Sequence, residues 1–110
     1  MRIVKKPWGK EIWVALTSRY VGKILIINKG ERFSKQYHRT KDETLYCDSG
    51  KFVMELGRKK LLVKPGQAVR VKPGVIHRIE AKYGKVKIFE VSTPQLHDRI
   101  RIEDDYGRSK

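Results

Sequence analysis

The sequence predicts an all-β fold, a sandwich or barrel of short strands, and three observations carry that expectation. Runs rich in Val, Ile, Leu and aromatic residues recur about every ten residues. Turns bearing Gly or Pro separate them. No helical periodicity precedes the C-terminus. A chain of 110 residues fits one domain, taken here as residues 1–110 with 93–110 as a C-terminal tail packing on the barrel.

Each element follows from its local pattern. Residues 1–9 give an extended start and a turn in which Pro7 and Gly9 bracket Trp8, an aromatic expected to pack over a barrel end. Residues 11–16 (EIWVAL) and 20–28 (YVGKILIIN) read as a hairpin around Thr17, Ser18 and Arg19. After Asn28-Lys29-Gly30 come a strand at 32–38, a polar loop at 39–42 and a strand at 43–47. Residues 51–56 and 60–63 flank a Gly57-Arg58-Lys59 turn, a hairpin signal. Strands at 67–71 and 75–81 are separated by Lys72-Pro73-Gly74, and 86–91 (VKIFEV) is a clear late strand. Pro94 stops it. The stretch 97–106, alternating Ile with charges, reads either as a last short strand or as an irregular strap.

Composition narrows the function classes. The hydrophobic fraction of 39% is enough for a folded protein. No apolar run approaches the roughly 20 residues that span a bilayer, and MRIVKKPWGKE lacks the apolar block of a signal peptide, so the cytoplasm is the expected location. Cys47 is the only cysteine; an intrachain disulfide is excluded, and a buried structural thiol is the preferred reading. Lys and Arg number 26 against 12 Asp and Glu, a formal charge of +14, which favours anionic partners. Nucleic acid is not the expected one: the positive residues are spread over the whole chain, without an RNP signature, zinc finger or basic helix. Phosphorylated sugars suit a metal pocket better, since phosphate needs only a few Arg or Lys donors. Heavy Lys, Arg and Glu use with a single Asn and a single Cys is also what a thermophilic origin produces.

The chemistry concentrates in 30–50, GERFSKQYHRTKDETLYCDSG. On a strand, Gln36 and His38 share a face and Tyr37 takes the other, where it packs. Glu43 follows, and a second glycine-punctuated block, GQAVRVKPGVIHRIEA, supplies His77. Two imidazoles with a carboxylate and an amide oxygen form a coherent donor set for one divalent transition metal, Mn, Fe, Co, Ni or Zn. Gln36 either ligates directly or orients a bound water. His97 has no spaced partner and reads as exposed or structural.

The two blocks resemble the cupin motifs. Gly30, Gln36, His38, Glu43 and Gly50 reproduce every spacing of the first motif, with Gln36 where a first His is expected. Gly66, Gly74 and His77 fall in register with the second, with Lys72 at the proline position and Ala81 at the final Asn. Within cupins the chain is most similar to the type II phosphomannose isomerase barrel, which often forms the C-terminal part of a bifunctional enzyme with mannose-1-phosphate guanylyltransferase. The similarity runs through KPWG at 6–9, GERFS at 30–34, QYHR at 36–39, PGVIHRIE at 73–80 and DRIRIEDDYGR at 98–108. Only the isomerase-like part fits in 110 residues.

That resemblance implies a double-stranded β-helix (jelly-roll) barrel, a homodimer, and a mannose-6-phosphate isomerase-like activity: aldose–ketose interconversion through a cis-enediolate, with the sugar C1 and C2 oxygens on the metal. It makes Arg78 a phosphate donor or a surface ion-pair residue, with Arg101 and Arg108 as similar candidates if the tail folds over the barrel mouth. Glu90, facing either water or the pocket, is the candidate base. A metal-dependent oxygenase and a non-catalytic metal- or sugar-binding cupin are the alternative readings.

Overall fold

The computed structural model describes residues 2–107. Eleven strands follow one another, with no helix among the described residues: β1 (Arg2–Lys6), β2 (Gly9–Leu16), β3 (Val21–Ile27), β4 (Lys35–His38), β5 (Glu43–Ser49), β6 (Phe52–Leu56), β7 (Lys59–Val63), β8 (Ala68–Val71), β9 (His77–Glu80), β10 (Val86–Ser92) and β11 (Arg99–Glu103). They form a six-stranded sheet, β1-β2-β3-β10-β5-β8, and a five-stranded sheet, β11-β4-β9-β6-β7. Every pairing is antiparallel.

Strand alternation divides the interior into two zones. Val21, Lys23, Leu25 and Ile27 of β3 are buried while the residues between them are half-buried. Register then aligns like with like: Leu25 lies opposite Ile88 and Ile27 opposite Val86, whereas Lys23 lies opposite Glu90 and Ser92 opposite Glu43. One end of the barrel is therefore an apolar plug built on Leu25, Ile27, Phe52, Met54, Ile79 and Ile88, each at most 1% exposed. Burying that many large side chains at about 1.5–3 kcal/mol each supplies the main driving force. Trp8 joins the core as expected, its ring 4.3 Å from that of Phe33.

Gly50, which closes the first motif, has a physical reason to be glycine. Its φ is 75°, and a Cβ there would lie 2.3 Å from the Lys85 carbonyl oxygen. A side chain would push the end of β5 off the start of β10. Gly9 is similarly confined, with Ile26 O at 1.9 Å from a Cβ position.

Several boundaries shift from the sequence expectation, and the tail takes one of the two forms expected of it. β1 is a paired strand, so the N-terminus opens with a hairpin to β2. The strand expected at 32–38 pairs regularly only from Lys35, because Arg32 makes an isolated bridge to Glu80 and Phe33 N–H donates to Ile79 O. The tail is a strand: β11 pairs with β4, and beyond it Arg32 pairs with Asp105 while Tyr106 donates its hydroxyl hydrogen bond to Glu31. No helix of the structure is long and apolar enough to cross a membrane.

Candidate metal centre

His38 ends β4, His77 opens β9, and Glu43 opens β5 on the facing sheet, so the barrel closes three donors around one point. Their ligand atoms all lie within 4.8 Å of one another. Glu43 Oε2 is 3.4 Å from His77 Nε2 and 3.7 Å from His38 Nε2. All three residues are buried, at 2% to 5% exposure.

The tautomers are set by main-chain carbonyls. His38 Nδ1 lies 3.0 Å from Asp98 O and His77 Nδ1 lies 2.9 Å from Val75 O. A carbonyl can only accept, so each Nδ1 carries the proton and each Nε2 keeps a lone pair toward Glu43. His38 Nε2 is buried with no hydrogen-bond partner. Such an orphan is costly unless a cation takes the lone pair. The donor set and this orphan fit a divalent ion held by His38, Glu43 and His77.

Gln36 lies opposite His77 in the β4–β9 ladder and lines the same cleft. Its Oε1 accepts a 2.5 Å hydrogen bond from the buried Ser34 hydroxyl, which fixes the amide orientation. Glu90, whose facing was open in sequence, points inward and is 6% exposed. Lys41 joins the two acids: its Nζ is 3.2 Å from Glu43 Oε1 and 2.9 Å from Glu90 Oε2, the latter an ion-pair contact and not an aligned hydrogen bond. Burial and the nearby Glu43 charge push the Glu90 carboxyl up, against the opposing pull of Lys41 and Lys23. A second buried group, Glu11 with Lys23 at 3.4 Å, lines the cleft further along the six-stranded sheet.

The cleft is narrow, with a cavity volume of about 30 Å³. Arg101 lines it. Arg78 does not: it is buried, donates from Nε to Phe33 O, and its guanidinium lies 3.5 Å from Glu103 and 3.7 Å from Asp105. It anchors the tail. Arg108 lies outside the described residues. His97 is exposed, Tyr37 is half-buried, and Cys47 is buried, with its thiol raised by burial and Asp48.

Sequence reasoning missed Lys41, Asp98, Arg99 and the Glu11–Lys23 pair. A weak signal existed for Lys41, two residues before Glu43 and hence on its side of an extended chain. Arg99 and Arg101 alternate with Ile100 and Ile102, a period-2 signal. Asp98 had none, because it acts on His38 through its main-chain carbonyl while its carboxylate accepts from the Arg39, Thr40 and Lys41 N–H groups.

Comparison with known proteins agrees with this architecture. Mannose-1-phosphate guanylyltransferase RfbM of Salmonella typhimurium is 26% identical over 111 residues, a match taking in 97% of this chain and 23% of that protein. The chain thus spans less than a quarter of that relative's length. KdgF from Halomonas sp. has a similar structure, with a TM-score of 0.81 at 20% identity over 89% of this chain and 90% of that one. An RmlC-like cupin from Shewanella frigidimarina gives 0.79 at 17% identity over 88% and 86%. The capsular polysaccharide assembling protein CapF from Staphylococcus aureus gives 0.76 at 20% identity over 93% of this chain and 34% of that one. At such identities these structures establish the fold. A family model described as a cupin domain matches residues 23–92, the span from β3 to the end of β10 that carries both glycine-bounded blocks, and the chain therefore belongs to the cupin family.

Proposed function

We propose that this cupin is a metal-dependent sugar-phosphate isomerase of the mannose-6-phosphate isomerase type. The observation that carries the reading is the buried Glu43–Lys41–Glu90 array, which sets a proton-accepting carboxylate in the same cleft as the metal donors. The similarity to a protein named for mannose 1-phosphate supports a sugar ligand.

A bound divalent ion, held by His38, Glu43, His77 and Gln36, would supply Lewis-acid polarisation of the sugar oxygens. The chain's own groups do the rest. Glu90 accepts the proton from the carbon beside the carbonyl and returns it to the former carbonyl carbon, while the hydroxyl proton passes from one of the two sugar oxygens to the other. Its raised proton affinity brings it nearer the range in which a base both takes and releases a proton at neutral pH. Lys41 keeps Glu90 oriented, and Trp8, Phe33 and Leu45 line the wall that excludes water. Basic side chains hold the phosphate, Arg101 among them. An oxygenase or a pure binding module would leave the Lys41–Glu90 pair without a part in the chemistry.

Glu90→Gln is expected to lower turnover of mannose 6-phosphate by about 10²–10⁴ with metal content unchanged. Absence of turnover by the unmodified protein with Mn, Fe, Co, Ni and Zn alike would overturn the isomerase reading in favour of a binding module.

The reading includes a homodimer. Ile12, Ile24, Phe89 and Tyr46 stand in register across four strands on the outward side of the six-stranded sheet. Phe89 and Tyr46 are 37% and 40% exposed. Of the nearby charges, Lys87 is matched to Asp48 and Arg70 to Asp42 within the chain. Phe89→Glu is expected to convert a dimer into a monomer in light scattering; a monomeric parent protein would remove this part of the proposal.

A further inference from the structure

At the end of the barrel that carries the donors, two connections cross between the sheets and lie against each other. Residues 39–42 lead from β4 to β5, out of the five-stranded sheet into the six-stranded one. Residues 93–98 lead back, from β10 to β11. The first of them belongs to the site: it joins His38 to Glu43 and carries Lys41 between them.

A short polar loop ordinarily leaves its amides to water. Here every N–H of 39–42 is donated to the neighbouring connection. Arg39 donates to Asp98 Oδ1 at 3.1 Å, and Thr40 and Lys41 donate to Asp98 Oδ2 at 2.6 and 2.9 Å. Asp42 donates to Thr93 Oγ1 at 3.0 Å, and its carbonyl accepts the Thr93 N–H at 3.0 Å. No hydrogen bond among the described residues joins one residue of the loop to another, so the loop takes its shape from the segment beside it. A carboxylate accepting from successive amides makes the stronger, charge-assisted kind of bond. The main-chain carbonyl of the same Asp98 holds the His38 ring. Both gripping residues are themselves fixed by the ladders. Thr93 follows Ser92, which lies opposite Glu43, and Asp98 precedes Arg99, which lies opposite His38. The segment therefore spans the same gap between the sheets as His38 and Glu43 do, and grips the loop at both ends.

We infer that Thr93 and Asp98 are positioning residues for the metal centre: they hold residues 39–42 so that His38 and Glu43 keep their spacing across the two sheets and Lys41 stays turned inward. Metal occupancy and the docking of 93–98 are then linked. An ion that favours the held loop binds more weakly when the loop is released, and by reciprocity stiffens the loop when it binds. Groups that orient metal ligands change affinity by about 10- to 100-fold when they are replaced. The inference rests on the fit of the donors to a divalent ion and needs no isomerase activity.

Zinc titration of the whole chain against a competing chelator tests this, with the visible absorption of the cobalt(II)-loaded protein as a second readout. Asp98→Ala removes all the carboxylate contacts and is expected to weaken zinc binding about 10- to 100-fold. Asp98→Asn keeps one acceptor oxygen and should fall between Asp98→Ala and the parent. Thr93→Val, which removes only the acceptor for the Asp42 N–H, should cost less than Asp98→Ala. The cobalt spectrum at saturation should shift in Asp98→Ala, since displaced ligands change the field at the ion; a merely structural role would leave it unmoved. In the parent, zinc should slow amide exchange at Thr40, Lys41 and Asp42. Asp105→Asn, which releases the far end of the tail without touching the loop, should leave both zinc affinity and the cobalt spectrum as they are. An equal loss in Asp105→Asn, an unmoved cobalt spectrum in Asp98→Ala, or unchanged zinc affinity in Asp98→Asn would overturn the positioning role. Should Asp98→Ala fail to fold, Asp98→Asn and Thr93→Val decide by the same readouts. A parent protein that binds no zinc would sink the metal site and this inference with it; a parent that binds zinc without turning over mannose 6-phosphate would sink the isomerase and leave the inference standing.

Discussion

Lys41 is 5% exposed and carries its charge between two acids that are no more exposed than 6%. Burial alone would lower its pKa, but Glu90 and Glu43 raise it above the ordinary lysine value, so it remains cationic through neutral pH. Removing it takes away the one cation shared by the two buried carboxylates, leaving Lys23 opposite Glu90 alone. Lys41→Met is therefore expected to destabilise the fold by about 3–5 kcal/mol, the usual consequence of breaking a buried pair from one side. Urea unfolding measures this, and Lys41→Met combined with Glu90→Gln should recover part of the loss through a non-additive cycle. A loss under about 1 kcal/mol would mean that water or a proton already compensates the acids. The residues legible in sequence were those whose type and spacing carry the chemistry: Gln36, His38, Glu43 and His77. Lys41 was hidden because a lysine in a polar loop ordinarily reads as solvated surface, and its burial depends on Glu90, far off in the chain.

β11 shows what element-level reading can and cannot supply. The alternation of Ile and Arg was visible, but hydrophobic-in, polar-out patterning assigns its faces the wrong way round, since the polar face here is the one turned to the cleft. Only its pairing with β4 settles the matter. The strand is pinned at both ends by acids whose pKa values lie below the ordinary value of 3.8. Asp98 is lowered by hydrogen bonds from the Thr40, Lys41 and Arg39 amides, and Asp105 by its hydrogen bond from Arg32. A carboxyl depressed in the folded state contributes stability that is present above its unfolded value and lost as pH falls through the folded one. The tail should thus stay docked down to about pH 4 and loosen below it. Amide exchange at Ile100 and Arg101 between pH 5 and pH 3 follows this directly. Exchange there should accelerate, beyond the intrinsic pH effect, ahead of the buried strands β3 and β10. Asp105→Asn should show weaker protection already at pH 5 and a flatter pH dependence, and identical profiles for variant and parent would exclude Asp105 as a pin.

At the scale of the whole molecule, the barrel was readable because turn residues and β-branched runs are local signals; the division into an apolar plug and a polar mouth was not, because it arises only when register sets Leu25 beside Ile88 and Lys23 beside Glu90. The donors span that architecture. His38 and His77 belong to the five-stranded sheet and Glu43 to the six-stranded one, so an ion bound by all three ties the sheets together across the mouth. Such an ion binds the closed barrel and has little affinity for an unfolded chain in which the three ligands are far apart. At a free concentration of 100 times its Kd it would add about 2.7 kcal/mol to global stability. For a chain of this size that corresponds to a Tm increase of roughly 10–20 °C. The increase should vanish in His77→Ala and reverse with chelator, and exchange protection should rise together at Leu25 in one sheet and Met54 in the other. Protection gained in the five-stranded sheet alone would mean that Glu43 stays with Lys41 and that two histidines hold the ion without it.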